Sequence, residues 1–378
     1  MPKAKRDPIR VVVVDDSPTA RELLVALFQS NEDMEVVGTA PNGEKGVRAT
    51  RQLRPDVVTM DVRMPVMDGL EATRQIMRVQ PTPIVIVTNS TMRADMDLTF
   101  EALHVGALTV VRKPGLTDPD TCDKVVQAVR LMSGVPVVHR WRMAEKEPDD
   151  SVASSQARPV VSLPQEKLIA PPSTNGWQLS AERRRRTQKI GIAASIGGPA
   201  ALAAVLQPLP ADFRVPILVV QHITQGFVLG LAEWLNSVTE LRVRMAGHGD
   251  VPQPGTVLLA PDDYHMRVGS NGVVKLCKEP PYKALRPSAN HLFHSLANAY
   301  GRRSMGIVLT GMGDDGVEGL TAIHEAGGLT IAQDESSCVV YGMPHQAVTC
   351  NIIDRVLTPD QIAKALGQLV YHQEQGVV

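Results

Sequence analysis

Short runs of Val, Ile and Leu recur along this chain at the spacing of a layered α/β fold, and they come in two separate trains. From Ile9 to about Met132, IRVVVVDD, MEVVGTA, DVVTMD, PIVIVTNS and LTVVRKP alternate with amphipathic stretches such as PTARELLVALFQS. A strand buried on both faces reads as a continuous apolar run, so the pattern predicts a parallel sheet covered by helices on both sides. The second train begins at Lys189: KIGIAAS, VPILVVQH, GTVLLAP, SMGIVLTG, LTIAQ and IIDRVL, interleaved with GFVLGLAEWLNS, DDGVEGLTAIHEAGG and TPDQIAKALGQLVYHQ. Between the trains, EKEPDDSVASSQ, Pro159, Pro164, Pro171, Pro172 and ERRRR carry no sustained apolar period, which is linker composition. The expected architecture is α/β throughout: two doubly wound parallel-sheet domains over residues 8–135 and 188–374, joined by a disordered linker over 136–187.

Composition narrows the function classes. A net charge of -1 argues against a chain built to coat nucleic acid or an anionic membrane, and 3% aromatic residues leave little for base stacking. The tetra-arginine Arg183 to Arg186 has no aromatic or helix-turn-helix context, so it reads as a solvated linker end rather than a DNA contact. MPKAKRDPIR has no apolar h-region and no run reaches the length of a membrane span, so a cytoplasmic location without membrane insertion is expected. Cys122, Cys277, Cys338 and Cys350 lack CxxC spacing and read as unpaired thiols.

In the first train, polar groups stand at the strand ends: Asp15 and Asp16, Asp61, Thr88 and Lys113. In open α/β sheets the functional crevice lies outside the carboxyl ends of the strands, so these residues should converge. Carboxylates brought together repel unless a cation sits among them, and an all-oxygen site suits Mg²⁺. Ser17 and Pro18 fit an N-cap and first helical position, making the first loop a sharp strand-to-helix turn.

VVVVDDSPTAR, DVVTMDVRMPVMDG and VVRKP resemble the receiver domain of two-component response regulators, a flavodoxin-like fold. The resemblance implies that Asp61 is the phosphoacceptor, that Asp15, Asp16 and Asp61 hold Mg²⁺ together with the Arg63 carbonyl, and that Thr88 and Lys113 contact the phosphoryl group. It also implies a histidine kinase of the chemotaxis type as phosphodonor. Val110 and Val111 stand where many receivers carry an aromatic switch residue.

In the second train the run KIGIAASIGGPAAL stops at Ser195 and turns through two glycines and a proline. It matches neither GxxxxGK[ST] nor GxGxxG, which weakens a phosphate cradle and leaves a nucleophile or a structural turn. A serine nucleophile needs a base and an orienting acid. VVQHI puts His222 at the next strand end, and TGMGDDG puts Asp314 and Asp315 in a glycine-rich turn after another. His265 and His294 read as packing or surface histidines rather than as a base or a metal ligand.

ASIGGPAAL, VVQHITQGF, LAPDDYHM, LRPSANHLFHSLA, VLTGMGDDGVEGL and AQDESSCVVYGMPHQAV resemble, in order, the catalytic domain of the chemotaxis methylesterase family CheB, a Rossmann-like α/β esterase. The resemblance implies a Ser195, His222, Asp315 triad, the Met312 backbone N–H in the oxyanion hole and no cofactor for ester hydrolysis. Chemoreceptors carrying glutamate methyl esters, and glutamines for deamidation, are the implied substrates. Ile196 replaces the family's usual threonine, Leu285 its usual histidine, and Asp314 its common asparagine, a change expected to raise a neighbouring carboxylate pKa. These departures keep a second reading open, a weakly active or non-catalytic adaptor that binds receptors. A third, a receiver joined to a DNA-binding output, finds no helix-turn-helix in the second train.

Overall fold

The computed structural model describes residues 7–89, 93–115, 118–135, 137 and 179–369. In the first unit, five strands alternate with five helices: β1 (Ile9–Val14), α1 (Pro18–Gln29), β2 (Met34–Ala40), α2 (Gly43–Leu53), β3 (Val57–Met60), α3 (Gly69–Val79), β4 (Ile84–Thr88), α4 (Arg93–His104), β5 (Thr109–Arg112) and α5 (Pro119–Met132). The strand order is β2-β1-β3-β4-β5, all parallel, so each expected run is a strand of one sheet. Ser17 caps α1 by accepting the Ala20 N–H, and Pro18 opens the helix, as the sequence predicts.

The second unit opens with α6 (Ala181–Arg186), β6 (Lys189–Ala194), α7 (Gly198–Leu206), β7 (Ile217–Gln221), α8 (Val228–Val238), β8 (Arg242–Met245) and β9 (Thr256–Leu259). A hairpin of β10 (His265–Val268) and β11 (Val274–Cys277) follows, then α9 (Ala289–Tyr300), β12 (Ser304–Val308) and α10 (Val317–Glu325). The chain closes through β13 (Leu329–Gln333), α11 (Met343–Thr349), β14 (Arg355–Leu357) and α12 (Pro359–Gly367). The seven-stranded parallel sheet runs β14-β13-β12-β6-β7-β9-β8. From β6 the chain winds outward through β7, then returns to the other side of β6 as β12, in register at Ile192↔Ile307. That reversal is a topological switch point, where the loops after β6 and β12 diverge and leave a crevice at the strand ends.

The packed structure begins earlier than the composition suggests. Leu179 is buried and its N–H donates to Gln368 Oε1 at 2.8 Å; α6 follows, with Arg183 paired to Asp354 at 3.2 Å and Arg186 to Glu182 at 3.0 Å. The end of the expected linker is thus a helix on the second unit, capped by Ser180, and two of its arginines have carboxylate partners. Apart from Val137, residues 136–178 of that linker, and 370–374 of the expected second domain, lie outside the described residues.

The two units share an apolar interface. Phe100 on α4 stacks on Trp234 of α8, with ring centroids 5.8 Å apart and planes at 24°. His104 lies beside the same indole at 5.9 Å, and burial pushes its pKa down. The close approach needs Gly230 on α8, since a Cβ there would lie 2.3 Å from Met96 Cε and 3.1 Å from Phe100 Cε2. Thr224 Oγ1 donates to the Val110 carbonyl across the seam at 2.6 Å. Ile196 and Val339 pack against the first unit's cluster that holds Val111, Val125, Val129 and Met132.

Candidate functional site

In the first unit, the strand ends bring Asp15, Asp16 and Asp61 together, with one carboxylate oxygen of each within 4.8 Å of the others. Lys113, just past β5, places Nζ 2.7 Å from both Asp15 Oδ2 and Asp61 Oδ2. Burial, the largest influence, raises the Asp61 pKa against the pull of Lys113. Burial opposes the charge on Lys113 as well, but hydrogen bonds and charges from Asp15 and Asp61 outweigh it and raise its pKa. Asp61 Oδ1 accepts the Val62 N–H at 2.8 Å, and the Lys113 N–H donates to the Thr88 carbonyl at 3.1 Å. Arg63 lies two residues beyond Asp61, in the loop after β3, so its backbone is near the cluster in sequence.

The donor set fits a hard divalent cation. Asp15 Oδ2 is buried, and its one close polar neighbour among the described residues is the Lys113 ammonium at 2.7 Å. Three oxygens of this kind, one with an unused lone pair and one on the exposed Asp16, are what Mg²⁺ takes.

In the second unit, Ser195 follows β6 directly and His222 follows β7, and both line one cavity of about 420 Å³. Gln221 fixes their backbones to each other, its Nε2 donating to the Ser195 carbonyl at 2.7 Å and to the His222 carbonyl at 2.8 Å. His222 Nε2 lies 2.9 Å from Asp315 Oδ2, an ion-pair distance. Among the described residues no hydrogen bond joins Ser195 Oγ to the imidazole. The Ser195 loop meets the turn after β12 closely: the Ser195 N–H donates to the Thr310 carbonyl at 3.0 Å, and a Cβ on Gly311 would fall 2.6 Å from Ser195 Cβ. The next residue, Met312, exposes half its side chain, and no acceptor among the described residues takes its N–H.

Asp315, in the loop between β12 and α10, is 2% exposed and packs against the N-terminus of α9. It accepts Ser288 Oγ–H at 2.6 Å, Ala289 N–H at 2.6 Å and Asn290 N–H at 3.3 Å. Burial pushes its pKa up, but His222, Ser288 and the helix N-terminus together hold it below the ordinary carboxylate range. The expected disturbance from Asp314 does not arise, because Asp314 points outward and pairs with Lys283. Leu285 lines the cavity, whereas Ile196 faces both the cavity and the first unit's apolar cluster. His294 is exposed, as expected, and His265 is buried.

Ser288, Gln221 and Thr310 are missing from the residues the sequence singles out. Ser288 had a signal, a Ser just after Pro287 and before an apolar helical period, which is an N-cap pattern. The roof of the cavity comes from the first unit: Lys124, Gln127, Ala128, Leu131 and Met132 of α5 line it with Ser195 and His222.

A strand-end serine and a histidine beside a buried carboxylate share one cavity, which the first unit roofs, so the fold and site define a two-unit α/β protein with a hydrolase-type arrangement in its second unit. The comparisons sharpen that class. CheB methylesterase matches residues 190–366, and the response regulator receiver domain matches residues 11–126. The chain is 42% identical over 366 residues to a protein-glutamate methylesterase/protein-glutamine glutaminase of Nitrosospira multiformis, covering 96% of this chain and 97% of that one. It is 43% identical over 366 residues to protein-glutamate methylesterase/protein-glutamine glutaminase 4 of Myxococcus xanthus, covering 96% and 97%. Among solved structures it is similar to the Thermotoga maritima CheB methylesterase catalytic domain, with 36% identity over 49% of this chain and 99% of that one, at a TM-score of 0.47. This chain belongs to the CheB family of receiver-linked protein-glutamate methylesterases. No described helix is long and apolar enough to cross a membrane.

Proposed function

We propose that this protein hydrolyses methyl esters of glutamate side chains, and deamidates glutamines, on chemoreceptors, under control of phosphorylation at Asp61 by a chemotaxis-type histidine kinase. The observation that carries it is the single cavity in which Ser195 and His222 meet, with Asp315 against the imidazole. Ser195 Oγ attacks the γ-ester carbonyl, and its proton passes to the His222 nitrogen that Asp315 does not engage. That imidazolium then protonates the departing methoxide, and Asp315, held ionised by its donors, offsets the positive charge. The free Met312 N–H after β12 serves the oxyanion. Water then attacks the acyl-enzyme by the same proton path.

In the receiver, Asp61 is the phosphoacceptor, Lys113 and Thr88 contact the incoming phosphoryl oxygens, and Asp15, Asp16 and Asp61 with the Arg63 carbonyl hold Mg²⁺. The ion supplies charge neutralisation for phosphoryl transfer. Because α5 roofs the cavity, the unphosphorylated receiver restricts substrate access, and pulling Lys113 and Thr88 toward a phosphoryl group loosens the α4, β5 and α5 face. A cytoplasmic location follows from these partners. The test is methanol release from methylated receptor membranes by the full chain, Ser195→Ala and Asp61→Ala, with and without a small-molecule phosphodonor and Mg²⁺. Activity that survives Ser195→Ala, or a response to phosphodonor in Asp61→Ala, overturns the assignment.

A further inference from the structure

His265, the first residue of β10, is 0% exposed. Its two ring nitrogens are nevertheless both committed. The Ser288 backbone N–H points at Nδ1 at 3.2 Å, and a backbone N–H can only donate, so Nδ1 is the unprotonated nitrogen. Nε2 lies 3.2 Å from the Pro280 carbonyl, which can only accept, so Nε2 carries the proton. One neutral tautomer satisfies both contacts. The His291 ring stacks on this imidazole with centroids 3.7 Å apart, and Arg267 donates to His291 Nδ1 at 3.1 Å through Nε, which keeps the second ring neutral as well. His265 is thus held against a flat neutral surface. Its acceptor nitrogen faces the residue whose hydroxyl binds Asp315.

We infer that His265 is a positioning residue for the hydrolytic site, acting through Ser288. Accepting the Ser288 N–H fixes the N-cap of α9 at the rotation in which Ser288 Oγ donates to Asp315 Oδ1, leaving Asp315 Oδ2 toward His222. The order is His265, Ser288, Asp315, His222, and only the last meets the nucleophile's cavity. Loss of the acceptor frees Ser288 to turn, Asp315 loses its shortest side-chain donor, and the imidazole is oriented less well during attack. Substrate binding does not run through this chain of contacts, so kcat falls and KM stays.

This inference rests on the hydrolytic reading of Ser195, and the test separates the two. Asn places an acceptor oxygen where His265 has Nδ1, while Gln places a donor where it has Nε2. In the phosphorylated full-length chain, His265→Asn should keep kcat within about threefold, and His265→Gln should lower it about tenfold, the effect of one hydrogen bond, at unchanged KM. Labelling of Ser195 by a fluorophosphonate should follow the same order and needs no receptor. Ser288→Ala keeps the result decidable if either histidine variant folds poorly. Adding His265→Gln to Ser288→Ala should then lower the labelling rate no further, because the two act in series. Equal losses in Asn and Gln, no loss in either, or additive losses in the double variant overturn the inference. No methanol from wild-type chain, with Ser195 labelling still ordered as expected, would instead overturn the receptor substrate.

Discussion

Gly230 is the point at which a single methyl group should separate the two domains without harming either. It lies inside α8, where Ala is favoured over Gly by about 1 kcal/mol, so Gly230→Ala strengthens the helix in both the docked and the undocked chain and the gain cancels from the docking equilibrium. What does not cancel is the clash. The new Cβ would sit 2.3 Å from Met96 Cε, which can swing aside, and 3.1 Å from Met96 Cβ and Phe100 Cε2, which are held by helix α4 and by the stack on Trp234. Overpacking of this kind costs about 1–3 kcal/mol. At about 1.4 kcal/mol per tenfold, the ratio of open to docked chain rises at least about fivefold. The assay is methanol release by unphosphorylated full-length protein, with the phosphorylated wild-type rate as ceiling. Gly367→Ala, on α12 with nothing within 4 Å of its added Cβ, is the control. An unphosphorylated rate equal to wild type, with the second unit's thermal stability unchanged, would refute the role of the α4 and α8 contact in holding the roof in place.

Asp315→Asn should reduce hydrolysis by about 10³-fold or more, since the amide reverses the polarity offered to Ser288, Ala289 and His222, whereas Asp314→Asn, which gives up only an exposed pair with Lys283, should stay within about threefold. Equal losses in initial-rate assays would mean the wrong aspartate has been chosen. Asp61→Asn should raise the receiver's melting temperature at neutral pH. The folded-state pKa of Asp61 is raised, so its ionised form destabilises the fold once the pH exceeds that value. The gain should shrink as the pH falls through the raised pKa and vanish below the unfolded-state value near 3.8. Melting curves across that window in the absence of Mg²⁺ check the sign, and a pH-independent gain would contradict it. Chelating Mg²⁺ should abolish activation by a small-molecule phosphodonor and leave the unphosphorylated rate as it was; loss of both would place a metal requirement in ester hydrolysis.

Much of the architecture is legible because its strands are buried on both faces and therefore announce themselves as apolar runs. The exceptions are strands with less to bury. RVRM of β8 is an edge strand with two arginines, and the β10 and β11 hairpin stands outside the main sheet. The convergence of Asp15, Asp61 and Lys113, and of His222 with one aspartate of the 314–315 pair, is readable because strand ends in such sheets meet at one edge, and the resemblance picks Asp315 of the two. Ser288 and His265 were not, because their contacts depend on how α9 and the hairpin settle on that edge. Ile196 shows the same limit in another form. Its sequence position suggests a lost active-site hydroxyl, while its packing against the receiver cluster gives the aliphatic side chain a use that only the docked domains reveal.

Gln221 has a consequence for how such a protein can be regulated at all. One amide group holds the carbonyls of Ser195 and His222 together, which ties the loops that carry the proposed nucleophile and base into one body. A domain leaning on that body can tilt it, bury it or leave it, but cannot slide one half past the other. Gate and chemistry are then mechanically independent: sequence drift on the α5 roof or in the segment joining the domains can retune how much of the time the enzyme is open, across a wide range, while the catalytic rate of each open molecule stays constant.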